Sequence, residues 1–317
     1  MTEITHRFVQ AGALRMHVAE AGSGPLVVLL HGFPETWYSW RHQLLALAES
    51  GYRAVAVDQR GYGRTDRPDG VEEYTILHTV GDVIRLIDEL GDNGAVLVGH
   101  DWGGSVAWHA ALMRPDRVRA VASLSTPYQS RPDHPPLGML RASVGDNYYS
   151  VYVQEPDVAD EELARDPRAT VRRALYGASA DGYPWNPVVP DGGGLLDIWP
   201  EPAELPGWLT EEHIDTCATD FERTGFTAAL NWFRNFDRNW ALTGPWHDAV
   251  VQQPTLYITG DRDLGGTLPG AAELIAGRPA AVPGLREAIV LPGCGHWIQQ
   301  EQPEQVNAAL IAFLRSL

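Results

Sequence analysis

Apolar positions along the chain follow two rhythms. Short, nearly unbroken apolar runs each end in a turn or loop: residues 25–30 before HGFP, 52–57 before DQRGYG, 95–98 before GHDWGG, 119–124 before STP, 255–259 before GDRD and 288–291 before PGCGHW. Continuous runs of this kind fit strands covered on both faces of a parallel sheet. Ahead of them, residues 7–21 read as a β-hairpin. The second rhythm is helical. Ile76, Val80, Val83, Ile84, Ile87 and Leu90 fall on one stripe. Residues 103–113 are small and apolar, as in a helix packed on a sheet. Residues 303–317 open with Pro and Glu and then repeat apolar side chains every three or four positions.

Alternating strand and helix predicts an α/β fold with a mostly parallel central sheet and right-handed crossovers. The alternation stops between about 131 and 242, where helical stretches are rich in Tyr, Trp, Asp and Glu, and a loop over 182–206 is dense in Pro and Gly. The expected organisation is a core in two parts, 1–130 and 243–317, with 131–242 inserted as a helical cap over the C-terminal edge of the sheet. No internal repeat interrupts this reading.

Composition narrows the partners. The 317 residues carry a net charge of −17, which disfavours nucleic acid and anionic membrane as partners. All 24 basic residues are Arg, so no mechanism can use a lysine. Cys217 and Cys294 stand far apart and form no zinc-type pair. The N-terminal stretch MTEITHRFVQAG has no apolar core like that of a signal peptide. No apolar run reaches the ~18 residues of a membrane span. The expectation is a cytoplasmic enzyme, with oligomeric state, including a homodimer, left open. No cofactor motif is present: DQRGYGRTD lacks the GxGxxG and GK[ST] patterns of phosphate-binding loops.

The candidate chemistry centres on Gly99-His100-Asp101-Trp102-Gly103-Gly104, between an expected strand and helix. That is the setting of a nucleophile elbow, with aspartate where serine is usual. A carboxylate attacking an acyl carbon would give a labile anhydride. Attacking a saturated carbon, it gives an ordinary ester. Asp101 therefore points to an epoxide or an alkyl halide, opened through a covalent alkyl-enzyme ester. The plainer alternative is a helix N-cap aspartate; the flanking glycines and the residues downstream favour the nucleophile. Asp263 in GDRD and His296 in GCGHW follow expected strands, in the order nucleophile, acid, histidine. His296 would activate water and Asp263 would orient it, with Asp261 as the competing acid. Backbone N–H groups of Phe33 and Trp102 are the candidate oxyanion hole, and the bond before Pro34 is a candidate cis peptide. His31 and His100 read as loop-bracing residues. Ser105 lies beyond the elbow, which disfavours a serine esterase.

HGFPETWYSWR, DQRGYGRTDRP, GHDWGG, ASLSTPY and GCGHW, with YYSVYVQEP and LNWFRNFDRNW in the inserted segment, together resemble soluble epoxide hydrolases over nearly the whole chain. The resemblance implies no cofactor or metal. It implies two cap tyrosines that bind the epoxide oxygen and protonate the leaving alkoxide. The first maps to Tyr149, with Tyr148 and Tyr152 as neighbours that could take the role. The second position, in NWxRN, holds Phe233. Either one donor suffices, or a side chain such as Tyr152 or His213 substitutes, or the substrate is not an epoxide. Trp37, Trp232, Tyr152 and Phe233 are the candidate pocket wall, suited to an apolar or aryl epoxide. The near rival is a haloalkane dehalogenase, disfavoured by Phe33 where a halide donor is expected. A non-catalytic binder on the same scaffold is the rival from another class.

Overall fold

A computed structural model describes residues 3–184, 186–277 and 279–317. Eight strands form one sheet: β1 (Thr5–Ala11), β2 (Leu14–Ala21), β3 (Leu26–Leu30), β4 (Arg53–Val57), β5 (Ala95–His100), β6 (Val118–Leu124), β7 (Thr255–Gly260) and β8 (Leu285–Leu291), in the order β1-β2-β4-β3-β5-β6-β7-β8. The β1–β2 hairpin joins antiparallel, and every pairing from β4 to β8 is parallel. This is the mostly parallel α/β sheet that the alternation of runs predicts, and it has the strand order of an α/β-hydrolase fold, as the resemblance implies.

The unbroken apolar runs have a direct cause. Val28, Leu30, Val55, Val57 and Leu97 point to one buried cluster, while Val27, Leu29, Ala54, Ala56, Val96 and Val98 point to the other. Helices α1 (Arg41–Glu49), α2 (Ile76–Glu89) and α3 (Trp102–Met113) supply these layers from the first half of the chain. α2 and α3 pack on the first face and α1 on the second. β8 departs from the pattern because it is the edge strand, and most of its side chains are only partly covered.

Between β6 and β7 the chain forms α4 (Pro136–Val144), α5 (Tyr149–Tyr152), α6 (Val158–Ala164), α7 (Pro167–Gly177), α8 (Glu211–Thr224), α9 (Thr227–Phe233) and α10 (Phe236–Leu242). The described residues here contribute no named strand, only an isolated bridge between Tyr148 and Val188. Arg234 pairs with Asp160, and Glu162 accepts the amides of Leu195 and Leu196, so the segment is tied internally by charged hydrogen bonds. Its aromatic side chains reach Phe33, Tyr62 and Trp102, in the loops and turns that leave the C-terminal ends of β3, β4 and β5. After β7 come α11 (Ala271–Ile275), β8, α12 (Ile298–Glu301) and α13 (Pro303–Arg315). α13 lies against α1 and closes the second face.

Candidate active site

β5 runs straight into α3 through a single residue, Asp101, at φ 51° and ψ −121°. A positive φ at a residue with a Cβ costs about 1–3 kcal/mol and persists only where surroundings enforce it. The surroundings here are glycines. A Cβ on Gly103 would lie 2.0 Å from the Leu30 carbonyl oxygen, one on Gly99 2.2 Å from the Gly103 oxygen, and one on Gly32 2.3 Å from Asp101 Oδ1. The tight turn therefore lifts the Asp101 side chain out of the sheet edge.

The two carboxylate oxygens have different neighbours. Oδ1 accepts the Phe33 amide at 2.9 Å. Oδ2 faces His296 Nε2 at 3.8 Å. The Trp102 amide is the first N–H of α3, where no intrahelical carbonyl serves it. The Phe33–Pro34 peptide is cis. His296 Nδ1 donates to Asp263 Oδ1 at 2.8 Å. Asp263 also accepts the Gly265 amide at 2.9 Å and the Thr259 hydroxyl at 3.2 Å, and its side chain is fully buried. Asp261 does something else: its Oδ1 takes the amides of Gly293 and Cys294. Burial opposes charge on His296, but the Asp263 carboxylate and then Asp101 outweigh it and raise the imidazole to about 9.

Beneath this set lies a buried network that sequence reasoning missed. Glu35 accepts His100 Nδ1 at 2.7 Å, the Gly32 amide at 3.2 Å, and the side-chain amides of Gln299 and Gln300 at 3.0 and 2.9 Å. Burial would raise the Glu35 carboxyl; the His100 charge and hydrogen bond outweigh it and hold it below the usual range. His100 Nε2 faces the His296 carbonyl at 2.8 Å, so both ring nitrogens are placed to donate. The sequence did carry a signal: Glu35 directly follows HGFP, and two glutamines follow His296 closely. Their meeting could be seen only in three dimensions. His31 fits the loop-bracing expectation, with its Nε2 accepting the Gln59 amide.

Around Asp101 the wall is aromatic. Phe233 lies edge-on to Trp102 at 5.0 Å, to Phe33 at 5.6 Å and to Tyr149 at 6.0 Å. Phe236 stacks on Trp102 at 5.5 Å. Trp232 is buried between Trp102 and Tyr62, its indole N–H on the Arg60 carbonyl. Tyr149 is pushed well up by burial, with Tyr148 and the Asp101 and Asp263 carboxylates adding to the rise. The structure thus gathers Asp101, Asp263, His296, Phe33, Trp102, Tyr149, Trp232 and Phe233.

Trp37 and Tyr152 are corrections to the expected wall. Trp37 packs on His6, His17 and Tyr38, and its amide binds Asp58, because the chain turns there toward the β1–β2 hairpin. The Tyr152 hydroxyl donates to Glu162 at 3.4 Å, the carboxylate that also holds the Leu195 and Leu196 amides. His213 Nδ1 accepts Arg41 and caps α8, and its ring lies edge-on to Tyr38. Among the described residues no group of three or more His, Cys, Asp or Glu is spaced to hold a metal ion, and no helix is long and apolar enough to cross a membrane.

The family model of the α/β hydrolase fold matches residues 25–166. Over 99% of its length the chain is 44% identical to epoxide hydrolase A of Mycobacterium tuberculosis, of which it covers 98%. It is likewise 44% identical to epoxide hydrolase 3 of Siraitia grosvenorii, with 99% of both chains covered. Among solved structures it superposes on epoxide hydrolase A of Mycobacterium thermoresistibile with a TM-score of 0.90 and 45% identity, covering 99% of this chain and 98% of that one. An epoxide hydrolase of Vigna radiata gives 0.93 and 41%, with the same coverage.

Proposed function

The chain belongs to the epoxide hydrolases of the α/β hydrolase fold, and we propose that it opens its substrate in two steps through an ester on Asp101. The carrying observation is the division of labour at that carboxylate: Oδ1 held by the Phe33 amide, Oδ2 open toward His296. In the first step Oδ2 attacks an epoxide carbon in line. The C–O bond breaks, and the alkoxide takes the proton of the Tyr149 hydroxyl. A phenol is a competent donor to so basic an oxygen.

In the second step His296 Nε2 removes a proton from water, which attacks the ester carbonyl carbon of Asp101. The former Oδ1 becomes the oxyanion and is stabilised by the Phe33 and Trp102 amides. Collapse expels the diol oxygen, which takes the proton of the His296 imidazolium, and the Asp101 carboxyl gives up its proton to restore the Tyr149 phenol. Asp263 holds the histidine ring and balances the imidazolium. The charge state changes at the right moment. In the free enzyme Asp101 helps to raise His296; as an ester it is neutral, and the ring loses its proton more readily.

The helices over 136–242 act as a cap, and the rings of Phe33, Trp102, Phe233 and Phe236 suit an apolar or aryl epoxide. One test separates the readings. A racemic aryl epoxide and a bromoalkane are offered, and diol and bromide are followed. Diol alone supports this mechanism, and bromide alone would assign a dehalogenase. A single turnover in 18O-water should place the label in Asp101 rather than directly in the diol; label in the diol alone would exclude the ester.

A further inference from the structure

The loop that carries His296 is held by a carboxylate outside the reacting set. Glu301, at the end of α12, accepts three backbone amides. Its Oε2 takes Gly295 N at 2.9 Å and Ala180 N at 3.0 Å, and its Oε1 takes Trp297 N at 2.9 Å. The first and third flank His296 on either side. The second belongs to the helical segment between β6 and β7, just past α7. Two further bonds join the same pieces: His296 N donates to Ala178 O at 3.0 Å, and Arg262 Nη1 to Ala180 O at 3.3 Å. A Cβ on Gly295 would lie 2.2 Å from Ala180 N, so only glycine permits this approach.

We propose that Glu301 is a positioning residue: its carboxylate clamps the amides of the residues on either side of His296 and latches them to the 178–180 turn, so that the imidazole is aimed for ester hydrolysis only while the helical segment is docked. The clamp needs both oxygens, because each serves a different amide. An amide side chain offers one oxygen, and its NH2 group would face an N–H that donates. With the clamp loosened, His296 would keep Asp263 as a partner but lose its fixed approach to the water between Nε2 and Asp101. Asp101 is held from β5, α3 and the Phe33 amide, and among the described residues no hydrogen bond joins these to Glu301. The two half-reactions should therefore separate.

This inference rests on the two-step reading above, and the experiment keeps the two apart. Wild type, Glu301→Gln and His296→Gln are mixed with excess aryl epoxide, quenched over time, and the protein mass is followed. In E301Q the ester should form within about threefold of the wild-type rate, hydrolyse at least tenfold more slowly and accumulate. The downfield proton resonance of the His296–Asp263 hydrogen bond should shift or broaden with it. An unchanged hydrolysis rate would overturn the proposal, as would equal slowing of both steps. Should E301Q not fold, E301D, which keeps the charge but withdraws it by one methylene, carries the same test. Absence of an ester even in H296Q would overturn the two-step reading instead.

Discussion

A hydroxyl at position 233 would enter a ring cluster in which Tyr149 is the proposed proton donor, beside Trp102 and Phe33. Removing one donor of this kind costs about 10²–10³ in rate where the charge sits in a dry site. Tyr149→Phe should therefore slow ester formation by roughly that factor, while Phe233→Tyr should speed it by about tenfold or more by adding a second donor. Stopped-flow or quench measurement of the first step with an aryl epoxide checks both. No gain from F233Y together with full activity of Y149F would remove tyrosine from the mechanism. His296 makes a separate prediction. Its imidazole stands near 9 in the free enzyme because Asp263 and Asp101 outweigh burial. Ester formation removes the Asp101 charge. The base must be neutral to act, so ester hydrolysis should rise with pH and level off at an apparent pKa below that found by NMR titration of the free enzyme. Equal values would mean that Asp101 has no hold on the ring.

At the scale of the elements, the elbow and the helices make opposite demands on glycine. Gly103→Ala would put a methyl group 2.0 Å from the Leu30 oxygen, where β3 cannot yield, and should unfold the protein or strip its activity. Gly81 in α2 and Gly138 in α4 have open space where a Cβ would go and no positive φ. Gly81→Ala and Gly138→Ala should each stabilise by about 0.5–1 kcal/mol through helix propensity, read as an increase in denaturation midpoint at unchanged slope. These contrasts also show what the sequence can carry. The β3, β4, β5, β6 and β7 runs were legible because burial on both faces leaves few polar residues to blur them. The elbow was legible because GHDWGG is a local sequence, with Gly99 making room within the turn and Gly103 admitting its close approach to β3. The order of Asp101, Asp263 and His296 was legible because each follows its own strand. Trp37 was misplaced because its type says "aromatic" without saying which way the chain turns. Tyr152 was misplaced because its residue type does not show that Glu162, on the next helix, engages its hydroxyl. The Glu35 and Glu301 networks stayed hidden since their partners come together only when remote loops meet.

For the molecule as a whole, titrating groups set a pH of greatest stability, and the sign of each can be worked out. His42 is lowered to about 4, chiefly by burial and then by Arg41 and His213. Burial likewise lowers His6, His31, His109 and His213. Between their depressed values and about 6.5, the unfolded chain binds protons that the native state does not, so stability falls as pH drops below about 6.5. Lower still, Glu35 and Asp58 add to the loss, since their hydrogen-bonded carboxylates are held below the unfolded value. His296 acts in the other direction. Its folded value near 9 lies above the unfolded 6.5, so its contribution is complete below about 6.5 and is lost as pH rises through 9. Buried carboxyls raised by desolvation, Asp82 and Glu301 among them, oppose stability once the unfolded chain has ionised, above about pH 4.5. The melting temperature should therefore peak near pH 6.5 and decline on both sides. His296→Asn should flatten the alkaline decline, with a change of a few degrees by pH 9, and His42→Gln should flatten part of the acid decline. Calorimetric scans of the three proteins from pH 4.5 to 9.5 test this directly. An alkaline decline in His296→Asn as steep as in the wild type would mean that the Asp263 and Asp101 charges do not hold a proton on that ring, and the proposed change of His296 into a base on ester formation would lose its physical ground.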